Sequence, residues 1–209
     1  MYKKTRWQRW LLKKELPAKL QHIKTAKPIE QYHSVNLYCM DESRFGLLTI
    51  GRRVLTLRGI KPLLPYQHRF ENFYLLGAYS PFSATHFTLE LPQCNTTCFQ
   101  LYLDEFSKQT PEEFKIIVLD NGAFHHSKAL VIAENIALVF LPPYCPELNP
   151  AEKVWRHLKD ALANTLFKTL DELSEKLQSL IQHSLSNQTI GSLTAFQFIT
   201  LAFIQTFNL

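Results

Sequence analysis

The sequence predicts a single α/β domain in which helices cover both faces of a mixed β-sheet. In the first half of the chain, short apolar segments separated by turn residues are typical of antiparallel strands. In the second half, helical apolar patterns alternate with continuous apolar runs, as in parallel strands that are buried on both faces. With 209 residues, 46% of them hydrophobic, the chain can build the core of such a domain. We therefore expect three antiparallel strands plus two parallel ones.

The strands are predicted from short apolar segments and from the turn residues that bound them. The first, residues 35–40, is expected to stop at Asp41, and Phe45-Gly46 marks a turn. Residues 47–69 are expected to hold a second short strand followed by an irregular basic loop. The other predicted strands are an alternating pair at residues 70–79 and 85–91 and two buried runs at residues 116–119 and 137–141.

The helices are predicted from apolar residues at helical spacing and from residues that begin helices. Asn149 is expected to begin a helix with Pro150 in its first turn, where helices tolerate proline. Ser127 is expected to cap a helix that runs to Glu134. The other predicted helices are residues 96–107 and 170–184.

Three features of the composition argue against secretion and membrane insertion. The N-terminus is basic but lacks the apolar segment of a signal peptide. The apolar tail, residues 194–209, is interrupted by polar residues and is shorter than the ~18 apolar residues of a membrane span. We expect it to be a helix that packs on the core, or a partner-binding surface. The four cysteines lack the spacing of a zinc site, so we expect reduced thiols in the cytoplasm.

Positive charge is concentrated in two blocks of the chain. Residues 1–28 hold nine Lys or Arg residues and one acid, whereas the remainder is acidic on balance. We assign residues 1–32 to a basic arm or linker, with two tryptophans and two leucines on a partly apolar side, and residues 33–209 to the main domain. The second block, residues 43–70, contains no acid. Two such blocks beside an acidic core favour a polyanionic partner, and the alternative is a pair of solvated surfaces.

Three carboxylates lie where a metal site could form. Asp41 and Asp120 each end an apolar run, and Glu152 lies in the first turn of the helix that begins at Asn149. Mg²⁺ and Mn²⁺ prefer hard oxygen ligands, so two or three carboxylates on rigid elements suffice to hold them. Two such ions can bind the attacking and leaving oxygens of a phosphodiester displacement. Each residue also has a structural explanation: a polar strand end, an Asp-Asn-Gly turn and a helix cap, respectively.

Basic residues near these carboxylates are candidates for contacts with phosphate. His125 follows Asp120 by five residues and could contact a phosphate or position water, or it could belong to a solvated loop. Arg156 and Lys159 lie four and seven residues after Glu152, on its face of the helix, where they could meet DNA phosphates. An ordinary Glu152–Arg156 ion pair is the alternative.

Three segments of the chain read MDESRFG from residue 40, IVLDNGAFH from residue 117 and PPYCPELNPAEKVW from residue 142. They resemble the three signature blocks of DDE transposases of the mariner-like superfamily, specifically its bacterial insertion-sequence branch. The third block is the most specific, because its spacing of prolines, Glu152 and a following tryptophan rarely arises by chance. Residues 57–62 also resemble a segment that these proteins carry between their first strands.

The resemblance implies a ribonuclease-H-like fold and an enzyme that cleaves DNA strands and transfers them to a target, with two Mg²⁺ or Mn²⁺ ions. It implies Asp41, Asp120 and Glu152 as catalytic metal ligands. It also implies DNA (transposon ends and target) as partner, a homodimer, and a bacterial cytoplasmic protein bound to the nucleoid. The loop at residues 51–69 would contact DNA or a second subunit. The loop residues expected to bind nucleic acid are Arg52, Arg53, Arg58 and Lys61.

Three departures from the family pattern leave alternatives open. Asp120 and Glu152 are separated by 31 residues (121–151), slightly fewer than expected, and Cys145 stands where a serine is usual. Such enzymes also carry N-terminal helix-turn-helix modules, for which residues 1–28 are too short. We therefore expect the catalytic half of a split gene, with a separately encoded helix-turn-helix half, or a truncated copy that binds DNA or dimerises without cutting. A nuclease without strand transfer is a third interpretation.

Overall fold

The structure is a computed structural model that describes residues 2–143 and 145–208, with side chains from residue 14 onward. Its strands are β1 (Ser34–Gly46), β2 (Asn72–Tyr79), β3 (His86–Leu91), β4 (Glu113–Leu119) and β5 (Ile136–Phe140). Its helices are α1 (Tyr2–Ala26), α2 (Thr96–Gln109), α3 (Ala151–Ala161), α4 (Leu170–Ser184), α5 (Asn187–Thr194) and α6 (Gln197–Phe207). Outside the described part lie the side chains of Trp7, Trp10, Leu11 and Leu12, and Tyr144 of the third signature segment.

The five strands form one mixed sheet in the order β3-β2-β1-β4-β5. β1 pairs antiparallel with β2, and β2 pairs antiparallel with β3. β4 runs parallel to β1, and β5 runs parallel to β4. The predicted sheet of three antiparallel plus two parallel strands is thus confirmed, with β1 at its centre.

β1 is longer than predicted because its two neighbours pair with different parts of it. β4 pairs with β1 from Ser34 to Cys39, whereas β2 pairs with it from Cys39 to Gly46. The prediction that the strand stops at Asp41 is therefore wrong. Its second half runs past the end of β4, where polar side chains can be accommodated. At Gly46 the chain approaches itself closely, since a Cβ there would lie 2.6 Å from the carbonyl oxygen of Glu71.

Residues 47–71 form a long loop, and the predicted second short strand does not exist there. Gln67 joins the two ends of the loop by donating to Thr49 Oγ1 (2.7 Å) and to the carbonyl oxygen of Leu47 (3.0 Å). Leu47 itself is buried in the core, whereas Leu55 is fully exposed. The apolar residues that suggested a strand therefore pack separately or face solvent.

Residues 127–134 form an irregular crossover, so the helix predicted there is wrong. A 3-10 turn at Ala123–His126 precedes it, and the amide of Leu130 donates to the carbonyl oxygen of Ser127. The amide of Val131 donates to Gln100 Oε1 on α2, at 2.8 Å. A hydrogen bond to α2 thus takes the place of the intrahelical hydrogen bonds that the local sequence favoured.

Helices cover both faces of the sheet, as predicted. On one face, Phe99 of α2 belongs to the same core cluster as Met40 and Ile117. On the other face, α1 and α6 cover the half around β4 and β5, and α3, α4 and α5 cover the half around β1 and β2. Side-chain alternation along β1 directs Asp41 towards α3 and Glu42 towards the α2 face.

The second half of the N-terminal helix packs against the main domain. Leu16 and Leu20 of α1 are fully buried and belong to the same core cluster as Ile199 and Phe203 of α6. The apolar tail thus packs on the core, which is one of the two predicted alternatives. Among the described residues, no single helix is long and apolar enough to cross a membrane. The bent pair α5 and α6, which meet at 99°, meets the criterion by length and composition alone.

Candidate active site

Asp41 is a buried carboxylate in the middle of β1. The residue is 9% exposed, and its Oδ2 accepts a hydrogen bond of 2.9 Å from the indole Nε1 of Trp155. Trp155 lies on α3, one turn after Glu152. The first predicted metal ligand therefore lies under the helix that carries the third.

Asp120 follows β4 directly and is exposed. Its Oδ1 accepts the backbone N–H of Gly122 (2.9 Å), which forms the turn expected from Asp120-Asn121-Gly122. The same oxygen lies 3.1 Å from Nδ1 of His125. The hydrogen bond from His125 is the main cause that lowers the pKa of Asp120. The second predicted ligand is thus a carboxylate held ionised at the end of a central strand.

His125 joins Asp120 to Glu42. The His125 side chain is buried, and its Nε2 lies 2.6 Å from Glu42 Oε1. Burial acts to lower the pKa of His125, but the hydrogen bonds to Asp120 and Glu42 outweigh it and raise the pKa to about 9. The ring is therefore an imidazolium at neutral pH, shared between a carboxylate on β1 and one directly after β4.

This position corrects the prediction that His125 contacts a DNA phosphate. Its side chain is 1% exposed, and both ring nitrogens are engaged by carboxylates. Glu42 was not among the predicted site residues. The sequence signal for Glu42 is its position directly after Asp41. Because adjacent residues of a strand face opposite sides of the sheet, Glu42 is expected to point away from Asp41.

Glu152 lies in the first turn of α3 and is exposed. The helix start is held by Asn149, whose Oδ1 accepts the N–H of Ala151 (3.2 Å) and whose Nδ2 donates to the carbonyl oxygen of Met40 (2.8 Å). Pro150 already has helical dihedral angles, as predicted (φ −60°, ψ −27°). Within the described residues the Glu152 carboxylate makes no hydrogen bond or ion pair. It therefore takes no part in the cap and is open to a ligand.

Negative charge accumulates around Asp41. Burial, and then the charges of Glu42, Glu152 and Asp120, raise the pKa of Asp41 to about 8. A divalent cation reverses that effect, so the donor set fits a hard ion such as Mg²⁺ or Mn²⁺. In the part of the chain that is described, only Glu42, Asp120 and His125 form a group of three possible ligands within 4.8 Å of one another. Both ring nitrogens of His125 are engaged in hydrogen bonds, so we interpret this group as a pair of carboxylates joined by a histidine. Over the described residues, the ligand atoms of Asp41, Asp120 and Glu152 do not all lie within that distance of one another, and metal binding by these three stays a prediction.

Lys159 connects the carboxylates with a basic cleft. Burial lowers the pKa of Lys159 and the charges of Arg44 and Arg52 lower it further, while those of Glu152 and Asp41 raise it. A cleft of about 250 Å³ is lined in part by Arg44, Arg52 and Lys159. The prediction that Lys159 lies on the Glu152 face of α3 agrees with this arrangement.

The other predicted nucleic-acid-binding residues lie on the surface. Arg52 Nε makes an ion pair of 2.6 Å with Asp160 of α3. Arg156 is exposed, and over the described residues it forms no ion pair with Glu152, so the ordinary helical pair is not found. The remaining exposed candidates, all in the loop at residues 47–71, are Arg53, Arg58 and Lys61.

His125→Gln is expected to remove a pH-dependent contribution to the stability of the metal-free protein. Because the pKa of His125 in the fold lies above its ordinary value, the imidazolium stabilises the fold fully below about pH 6.5. That stabilisation is lost as the pH rises through about 9, and it amounts to at most about 3 kcal/mol. Urea unfolding of wild type and variant at several pH values between about 6 and 9 measures the difference.

The neighbouring exposed histidine provides the matched control. His126→Gln should keep the pH dependence of the wild type, since His126 is exposed and bonds Asn121 and not a carboxylate. If the stability of His125→Gln falls in parallel with that of wild type over this pH range, a charged His125 does not join Glu42 to Asp120.

Comparison with known proteins identifies the family. A family model described as DDE superfamily endonuclease matches residues 36–174, more than half of the 209-residue chain. An uncharacterised protein, y4pE/y4sA, of Sinorhizobium fredii (strain NBRC 101917 / NGR234) is 36% identical over 102 residues, which are 48% of this chain and 76% of that protein.

Solved structures of Mos1 transposase share the fold. The pre-cleavage Mos1 transpososome matches with a TM-score of 0.62 and 15% identity, over 93% of this chain and 60% of that chain. The mariner Mos1 paired-end complex with Mg matches with a TM-score of 0.61 and 14% identity, over 94% of this chain and 60% of that chain. The present chain thus spans about 60% of the length of these Mos1 chains. The chain shares the ribonuclease-H-like fold of these structures, and from the family match it belongs to the DDE superfamily of endonucleases.

Proposed function

We propose that this chain is the catalytic domain of a transposase that cleaves DNA strands and transfers them to a target, using divalent metal ions. The observation that supports the proposal is the position of Asp41, Asp120 and Glu152 on three separate elements, where the charges of Glu152 and Asp120 add to the burial that raises the pKa of Asp41 to about 8. Membership of the endonuclease superfamily supports the same reaction class.

In this proposal Asp41, Asp120 and Glu152 hold two Mg²⁺ or Mn²⁺ ions. When bound, such ions stabilise the attacking and leaving oxygens of an in-line displacement at phosphorus. The protein contributes the positions of its carboxylates: His125 orients Asp120, and Trp155 donates to Asp41. Glu152 is positioned by the backbone of the helix start itself. The side chains act by position and charge and form no covalent intermediate with DNA.

DNA is the proposed substrate and partner. On α3, the half-buried Lys159 interacts with the charges of Glu152 and Asp41, and Arg156 is exposed. The loop at residues 47–71 carries further exposed basic side chains, and such side chains make phosphate contacts. The similar Mos1 structures include complexes with a transposon end and with Mg, which supports DNA and Mg²⁺ here. The residues proposed to contact DNA are Arg52, Arg53, Arg58, Lys61, Arg156 and Lys159.

The proposal extends to the assembly of the whole protein. Because the chain spans about 60% of the Mos1 chains, recognition of the transposon ends is assigned to a helix-turn-helix half outside the present chain. We also propose a homodimer, so that two ends can be processed together, in the bacterial cytoplasm on the nucleoid.

The proposal is tested by incubating the purified chain with DNA that carries the inverted repeats flanking its gene, with and without any helix-turn-helix protein encoded directly upstream. Nicking at the repeat ends in Mg²⁺ or Mn²⁺, and its loss in EDTA, is the expected result. Joining of the cut 3′ end to a second DNA separates a transposase from a simple nuclease. No cleavage under any of these conditions would overturn the enzymatic proposal.

The alternative is a truncated transposase that binds DNA or dimerises without cutting it. The observation in its favour is again the 60% coverage of the Mos1 chains, since a partial chain can retain binding after catalysis is lost. Retained DNA binding without cleavage in the same assay would support this alternative.

A further inference from the structure

We propose that Trp155 is a positioning residue for metal binding, which orients the carboxylate of Asp41 through its indole N–H. This inference rests on the proposed function, because it concerns the ion that Asp41 would hold. Trp155 Nε1 lies 2.9 Å from Asp41 Oδ2, and the two residues are 2% and 9% exposed. A hydrogen bond to a carboxylate in such a buried place fixes the carboxylate orientation strongly, because water cannot replace it.

The indole is the appropriate donor at this place. An indole N–H donates one hydrogen bond, carries no charge and does not titrate. A lysine or arginine at the same position would neutralise Asp41 and compete with a cation. Trp155 therefore holds the side chain in place without adding a positive charge that would compete with an ion.

The slot that admits the indole is built by residues of β1 and β2. The Trp155 ring packs edge-on against Phe45 (centroids 6.3 Å apart) and Tyr79 (5.6 Å). Gly77 is the direct partner of Asp41 in the β1–β2 register. A Cβ on Gly77 would lie 2.8 Å from Cη2 of Trp155 and 2.5 Å from the hydroxyl of Tyr79. The space for the indole thus exists because the residue opposite Asp41 has no side chain.

The position of Trp155 on α3 couples two of the proposed ligands. Glu152 and Trp155 are three residues apart on this helix, and Asn149 ties the helix start to the Met40 carbonyl, next to Asp41. Movement of α3 would therefore displace Glu152 and release Asp41 together. Hydrogen-bond partners of metal-ligating residues typically change metal affinity about 10–100-fold when removed, so we expect an effect of this size here.

Tyr79 offers a matched control in the same slot. Its hydroxyl is buried and, over the described residues, is the only buried side-chain oxygen or nitrogen without a hydrogen-bond partner. Tyr79→Phe removes a hydroxyl that makes no hydrogen bond within the described residues. Trp155→Phe removes the N–H that donates to Asp41. A second control, Leu158→Ala, shortens a fully buried side chain of α3 and lowers stability without touching Asp41.

The test is the affinity of the purified proteins for Mn²⁺, measured by titration calorimetry and by loss of the free Mn²⁺ signal in electron paramagnetic resonance. We expect Trp155→Phe to bind Mn²⁺ at least about 10-fold more weakly than wild type, and Tyr79→Phe and folded Leu158→Ala to bind it as wild type does. Wild-type affinity in Trp155→Phe, or an equal loss in Leu158→Ala, overturns the inference. If wild type itself binds no Mn²⁺, the proposed function fails, and the inference fails with it.

A measurement on the wild-type protein decides the case in which Trp155→Phe does not fold. The indole N–H resonance of Trp155, assigned by substituting Trp7 and Trp10 with Phe, should shift during Mg²⁺ titration and saturate with the binding isotherm. A resonance that is unaffected while Mg²⁺ binds overturns the inference.

Discussion

Glu152→Gln is expected to reduce DNA cleavage by at least about 10³-fold, because metal-assisted stabilisation of the displacement is worth several kcal/mol and each 1.4 kcal/mol is a factor of ten. The substitution removes the charge and keeps the size of the side chain. Since the Glu152 carboxylate is exposed and makes no hydrogen bond within the described residues, stability should change by less than about 0.5 kcal/mol. DNA affinity should be unchanged or slightly higher, because one negative charge near the phosphates is lost.

Single-turnover cleavage and a DNA-binding titration on the same preparation measure the two effects separately. Asp41→Asn and Asp120→Asn should lose cleavage to a similar degree, because the three carboxylates act as one unit. The control is Glu147→Gln, which removes another exposed carboxylate of the same proline-rich segment, five residues earlier. If Glu152→Gln cleaves as well as Glu147→Gln does, Glu152 is not a metal ligand. If neither variant nor wild type differs in any activity, the non-catalytic DNA-binding module is favoured.

Mg²⁺ binding is expected to tighten steeply with pH and to release a proton. With a pKa of about 8, Asp41 is largely protonated at neutral pH in the metal-free protein, and it must lose that proton to bind a cation. The apparent affinity should therefore rise about tenfold per pH unit up to about pH 8 and then level off. Near pH 6.5, close to one proton should be released for each site filled, and above about pH 9 almost none.

Calorimetric titrations in two buffers with different enthalpies of ionisation, such as PIPES and imidazole, count the released protons. Asp41→Asn should bind Mg²⁺ more weakly and without this proton release. His125 does not confuse the result below about pH 8, because its pKa of about 9 keeps it charged there. A Mg²⁺ affinity that is constant between about pH 6 and 8 would contradict the buried, protonated state of Asp41.

Much of the fold follows from local patterns in the sequence. The alternating segments that became β2 and β3, and the apolar runs that became β4 and β5, were predictable because burial on one or both faces imposes those patterns. The start of α3 was predictable because Asn149 and Pro150 favour it through their own backbone geometry.

The failed predictions share a physical cause. The apolar run of β1 ends at Asp41, but the strand continues because β2 supplies its hydrogen bonds after β4 has stopped. Ser127 can cap a helix, but the backbone that follows it bonds to Gln100 of α2 instead. In both cases an element distant in sequence supplies the hydrogen-bond partners of the backbone. Local sequence propensity cannot reveal such partners.

The sequence by itself determined which three carboxylates to consider and where the helix that carries Glu152 begins. Both depend on short stretches of chain, namely apolar runs that end in Asp41 and Asp120 and a helix start with strong local preferences. Only the tertiary structure revealed that His125 joins Glu42 to Asp120 and that Trp155 holds Asp41. The His125–Glu42 pair is 83 residues apart and the Trp155–Asp41 pair 114. Such contacts are decided by the order of strands, by which face each side chain occupies, and by the space that Gly77 leaves open.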